Sequence, residues 1–133
     1  MEEIENKIAK SGLITLNLGD YVIEGERVQL DISQFLVKKI VLKEKEFRQN
    51  LLNHNWASYN NKYVAIYCST DAIIPAWAYM LISSYLFNIT KYCSLSNKEQ
   101  LETELFIKSI ANLNIQQFYN KKVQIGRASY RVR

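Results

Sequence analysis

Cys68-Ser69-Thr70-Asp71 places a thiol, two hydroxyls and a carboxylate in direct succession after an apolar run, Tyr63 to Tyr67. In an open α/β sheet, ligands bind beyond the carboxyl ends of the strands. If the run is a strand feeding a helix, Cys68 stands at such an end. It also stands just ahead of a helix N-terminus, whose dipole favours a thiolate. The functional reading is a reactive or metal-binding Cys68, with Ser69, Thr70 and Asp71 lining a small ligand-binding pocket. The plainer reading is a buried cysteine closing a core strand, with Ser69 or Asp71 as an ordinary helix cap.

Three further features could join that chemistry. Cys93, between Tyr92 and Ser94, lies in a second apolar run and could approach Cys68 if the two strands are neighbours. His54 is the only histidine, in the polar stretch Asn53-His54-Asn55-Trp56. It could serve as a general base or a ligand, or simply be a loop histidine. Trp56, Tyr59, Trp77 and Tyr79 could line an aromatic pocket, or pack in the core. Cys68, Asp71 and His54 are therefore the catalytic candidates, and Cys68, Cys93 and His54 the weak metal candidates. No CxxC or Cys/His cluster with zinc spacing occurs, nor a phosphatase or glycine-rich phosphate loop. No resident metal is expected, and the cofactor is left unknown. The acidic pairs Glu2-Glu3, Glu24/Glu26 and Glu44/Glu46 read as solvated faces.

These residues need elements to position them. Glu3 to Lys10, with Ile4 and Ile8 four apart, reads as a short amphipathic helix closed by Gly12. Leu13 to Leu18 reads as a strand. In Arg27 to Ile32, Val28, Leu30 and Ile32 alternate with polar residues, the mark of a strand with one wet face. Ser33 to Val37 is expected to turn Phe35 and Leu36 inward. Glu44 to Asn53 is a helix with Phe47, Leu51 and Leu52 on its apolar side. Lys62 to Phe87 reads as a buried strand feeding a buried helix. Residues 72–90 carry no charge, but Pro75, Ser83, Ser84, Asn88 and Thr90 interrupt them and the helix is too short to span a bilayer. Ile89 to Leu95 is a further strand. Ser96 and Glu99 form a capping box for a helix with Leu101, Leu105, Ile110 and Leu113 on one face. Lys122 to Ile125 is a last short strand.

From residue 63 onward the order is strand, helix, strand, helix, strand. It predicts a parallel βαβαβ unit, with antiparallel strands added by the N-terminal half. The fold class is α/β: one domain over 1–125 with a mixed sheet, and an atypical basic tail at 126–133.

The 133 residues are 48% hydrophobic, enough for a real core. The absence of a basic stretch followed by an apolar run at the start predicts a cytoplasmic chain. Net charge is +4, yet residues 1–104 hold 11 of the 17 basic residues and all 13 acids. The rest is Lys108, Lys121, Lys122, Arg127, Arg131 and Arg133, with no acid. Six charges over this length are no cluster, so a nucleic-acid-binding tail is the weaker reading.

Several blocks resemble a known family: Ser11 to Leu16, Glu24 to Val28, Leu42 to Arg48, and above all Cys68-Ser69-Thr70-Asp71-Ala72-Ile73-Ile74-Pro75-Ala76-Trp77-Ala78-Tyr79-Met80. They resemble the bacterial domain of unknown function 2480 family of Bacteroidetes, over nearly the whole chain to Ile125. The resemblance implies no established activity and points to iron–sulfur cluster assembly. It also implies a C-terminal truncation, since Gly126 to Arg133 departs from the family's continuation.

The reading that follows is a non-enzymatic accessory or binding protein, linked to iron–sulfur or thiol metabolism. The alternatives are a small enzyme at the Cys68–Asp71 junction and a basic-tail nucleic-acid binder. A protein partner or a second copy is expected, and no membrane.

Overall fold

The structure, a computed structural model, describes residues 13–126. The helix expected at Glu3 to Lys10, its Gly12 cap and the tail beyond Gly126 lie outside the described residues. Among the described residues the chain divides into two compact units, Gly25–Glu102 and a unit formed by the flanking segments, 13–24 with 103–126.

The continuous unit is built on a parallel sheet. Strands β2 (Arg27–Asp31), β3 (Tyr63–Tyr67) and β4 (Tyr92–Leu95) lie side by side in that order. Arg27 pairs with Tyr63, and Tyr63 with Tyr92. Helix α1 (Glu44–Asn53) lies between β2 and β3 in the chain, and α2 (Ala76–Leu86) between β3 and β4. Parallel neighbours need such crossovers.

Val64 and Ile66 alternate on one face of β3 and join Leu30 of β2 in a single apolar core. Phe47 and Leu51 of α1, four apart, and Ala78, Ile82 and Leu86 of α2, each four apart, complete it. That spacing puts each set on one helix stripe. Both helices therefore cover the same face. On the opposite face Ala65 is fully buried, and Glu102 of α3 (Lys98–Ala111) reaches Arg27 at 2.6 Å.

The entry to β2 is fixed by Gly25. Its φ is +139°, and a Cβ there would stand 2.5 Å from Cε2 of Tyr63. Only glycine takes this conformation without cost. The ring that closes on Gly25 also carries the Arg27 guanidinium, 5.1 Å from its centre.

In the other unit, β1 (Leu13–Asn17) pairs with β5 (Lys122–Gly126), again in parallel. Five expectations therefore change. The N-terminal strands are parallel, because β2 and β1 each pair with a strand reached only after a long excursion; the one antiparallel bridge among the described residues joins Val37 to Val41. The unit that follows residue 63 is βαβ and not βαβαβ, since β5 pairs with β1 and not with β4. The uncharged helix α2 is not buried all round: Met80 is exposed, and so is Phe87 at its C-cap. Leu52 is exposed as well, one residue off the stripe of Phe47 and Leu51. The capping box at α3 forms one residue later than expected, with Asn97 and Gln100 exchanging bonds at 2.8 and 2.9 Å.

Candidate functional site

The carboxyl ends of β2 and β3 are joined by a polar cluster centred on Asp31. Its carboxylate accepts the backbone N–H of Ser33 (3.0 Å), the N–H of Ser69 (3.0 Å) and the hydroxyl of Ser69 (2.6 Å). Ser69 spends its proton on Asp31, and the Ser33 hydroxyl lies 3.2 Å from the Ser69 hydroxyl. Burial pushes the Asp31 carboxyl up, but the hydrogen bonds from Ser69 and Ser33 outweigh it and hold the group below its ordinary value. A carboxylate stabilised in this way is a poor general base, because efficient proton transfer needs a pKa near the working pH. Asp31 thus ties two strand ends together instead of activating Ser69.

Thr70 makes a second tie. Its hydroxyl donates to the carbonyl of Lys39 and lies 3.4 Å from Sγ of Cys68. With the hydroxyl proton committed, the Cys68 thiol is the donor in that contact. Lys39 belongs to a tight hairpin closed by Val37 N–H to Val41 carbonyl (2.8 Å) and Val41 N–H to Val37 carbonyl (3.0 Å). Lys38 and Lys39 both have positive φ, 51° and 65°, a conformation costly for residues with a Cβ. The Thr70 bond helps hold that strained tip.

The strand–helix junction differs from the expectation. β3 ends at Tyr67 and α2 begins at Ala76, so residues 68–75 form a loop and Cys68 does not abut a helix N-terminus. Pro75 explains the delay. It disfavours helical backbone at the residue before it, and it takes the N-cap position itself at φ −70°, ψ 156°. Ser69 and Asp71 are not caps of that helix.

The hairpin, the start of α1 and this loop enclose an open groove of about 540 Å³. Ile40, Val41, Leu42, Ala72, Ile73, Pro75 and Trp77 give it apolar walls, and Glu44 and Asp71 are its two acids. Glu44 is bonded to Arg48 at 3.1 Å, and that guanidinium lies over Trp77. Asp71 has no hydrogen-bond or ion-pair partner among the described residues.

The other candidates lie apart from this cluster. Cys93 pairs with Val64, four positions before Cys68. At about 3.3 Å per residue the two positions stand roughly 13 Å apart along the strand direction. Burial pushes the Cys93 thiol up, against a smaller opposing pull from Thr90. His54 caps the end of α1. Its Nε2 is 2.7 Å from the Tyr59 hydroxyl, and its ring is held edge-on to Phe35 and Trp56. Burial lowers the His54 pKa and raises that of Tyr59. Trp56 stacks on Tyr85 and donates to the Leu51 carbonyl at 2.7 Å. Trp77 alone of the four proposed pocket aromatics lines the groove. No group of three or more His, Cys, Asp or Glu that could hold a metal forms among the described residues. None of the helices among those residues is long and apolar enough to cross a membrane.

Asp31 and Ser33 were not singled out from sequence. The signal was present, however: an aspartate ending an alternating strand, with a serine two residues on, is a local Asx-turn pattern.

No curated protein and no solved structure matches this chain. A comparison with protein families matches residues 2–131 to the family described as "Protein of unknown function (DUF2480)". The match continues past Ile125 into the segment that the sequence alone set apart. It agrees with the family suggested by the Cys68 to Met80 block, and the chain belongs to the DUF2480 family.

Proposed function

We propose that this chain acts as a non-enzymatic accessory or binding protein, with the groove between residues 40–44 and 71–77 as its binding face. The groove itself carries the reading. It has the volume of a ligand site, and it gathers Ile40, Val41 and Ile73, which are 58%, 50% and 92% exposed. Apolar side chains gathered in a surface recess mark an interaction site more than singly scattered ones do. The polar cluster beside it supports binding over catalysis. Asp31, Ser33, Ser69 and Thr70 are spent on one another and on the backbone, which fixes the groove's walls.

An enzyme using Cys68, Asp71 and His54 would need those groups to share a site. The polar partner of His54 is Tyr59 and that of Cys68 is Thr70. A tie to iron–sulfur or thiol metabolism draws no support from the separation of Cys68 and Cys93 along the strands.

The test is uptake of the apolar dye Nile red by the wild type and by Ile73→Asp. Ile73 is so exposed that the change should leave the unfolding midpoint unaltered. Dye fluorescence should rise with the wild type and fall sharply with the variant. Equal dye uptake by both proteins would overturn the assignment of the groove.

A further inference from the structure

Residues 71–74 form one wall of the groove and have the properties of a strand without a neighbour. They run without turn or bend between the Ser69-Thr70 corner and Pro75. Their exposure alternates. Ala72 and Ile74 pack against the core, while Asp71 and Ile73 face outward. A period of two is the pattern of extended backbone on a packed surface. None of the four N–H and four C=O groups of Asp71 to Ile74 has a hydrogen-bond partner among the described residues. Such a row of unpaired groups is a template for another chain.

Resting on the binding role assigned above, we propose that the groove's occupant is an extended segment of a partner protein. It adds as a strand beside Asp71–Ile74, with alternate apolar side chains in the groove and a lysine or arginine at Asp71. Three observations select this occupant. The unpaired backbone calls for a ligand that itself offers alternating N–H and C=O groups, as an extended polypeptide does. The walls formed by Ile40, Val41, Ile73 and Trp77 call for apolar side chains at every second position, the usual division of labour in strand addition. The charge selects the third feature. Glu44 is already neutralised by Arg48, which leaves Asp71 as the uncompensated carboxylate at the groove. The hairpin wall is fixed beforehand by the Thr70 to Lys39 bond, which lowers the ordering cost of binding.

The experiment is selection from a phage-displayed library of random heptapeptides on the intact chain, with Ile73→Asp as the counter-selection. Enriched peptides should alternate apolar residues and carry a lysine or arginine. The best peptide is then synthesised with single N-methylated amides. Methylating an amide that faces the protein should weaken binding about fivefold to tenfold, and the outward-facing amides should tolerate it. Asp71→Asn should weaken binding about threefold to fivefold in low salt and little in high salt.

Failure of selection while Nile red still binds would overturn the strand proposal and leave the groove assignment standing; loss of both would overturn both. Binding insensitive to N-methylation at every position would overturn strand addition. Sedimentation velocity of the wild type and Ile73→Asp covers the remaining occupant. A dimer that the variant dissociates would make a second copy the occupant and overturn the partner proposal.

Discussion

Replacing Glu102 by alanine removes one half of an ion pair that is almost wholly out of water. The side chains of Arg27 and Glu102 are 7% and 8% exposed, and the pair is two-pronged, at 2.6 and 3.3 Å. Breaking a buried pair from one side leaves an uncompensated charge and costs about 3–5 kcal/mol. Arg27 keeps the Gly25 carbonyl at 2.6 Å and the Tyr63 ring, so the lower end, about 3 kcal/mol, is expected. Unfolding entropy is about 2.1 cal/mol/K per residue. For the 114 described residues (13 to 126) that is roughly 0.24 kcal/mol/K, and the loss becomes a fall in midpoint of about 12 °C. Urea unfolding followed by circular dichroism measures the free energy directly. The double replacement Arg27→Met with Glu102→Leu removes both charges and should lie within about 1 kcal/mol of the wild type. A single variant that loses less than about 1 kcal/mol, or a double variant as unstable as the single, would refute a desolvated, mutually dependent pair.

Gly25→Ala should cost about 2–4 kcal/mol in the same assay, from positive-φ strain plus the collision with Tyr63; a change under about 1 kcal/mol would refute both the strain and the collision. Asp31 has a lowered pKa in the fold, so its share of stability is present above its ordinary value of 3.8 and is lost as pH falls through the folded value. Asp31→Asn should lack that acid-dependent component, and unfolding curves collected below about pH 5 read it. The pKa of His54 is also lowered, by burial. The unfolded chain binds its proton first, so stability should decline as pH drops below 6.5 and level off under the folded value. His54→Gln should flatten that decline, and an unchanged slope would mean that His54 titrates alike in both states.

What could be read from the residues was the local pattern. The alternation of Val28 and Leu30, the unbroken run Tyr63 to Tyr67 and the spacing of Phe47 and Leu51 each name an element and its inward face. The partner of a strand is not local information. The sequence of Arg27 to Asp31 carries no mark that its neighbour lies 36 positions on (63 minus 27), and β1 gives no hint of β5. The candidate site was half legible for the same reason. Cys68 to Asp71 stood out by composition, whereas Asp31 acquires its role only when register sets it beside Ser69. Ile73 lies within the span read as a buried strand feeding a buried helix, yet it is exposed, because the helix begins only after Pro75.

The pairing of β1 with β5 has a kinetic consequence. Leu13 meets Lys122, 109 positions away (122 minus 13), against 36 for β2 with β3 and 29 for β3 with β4 (92 minus 63). Closing the longest of these loops from a flexible chain costs about 1 kcal/mol more than closing the 36-residue one. During synthesis β1 must also wait until the ribosome has released residues 122–126. The segment 25–102 can close its three strands in that interval. Its core would be packed before the two ends of the described chain find each other, so folding should show an early phase reported by Trp56 and Trp77 and a later one reported by β1 and β5.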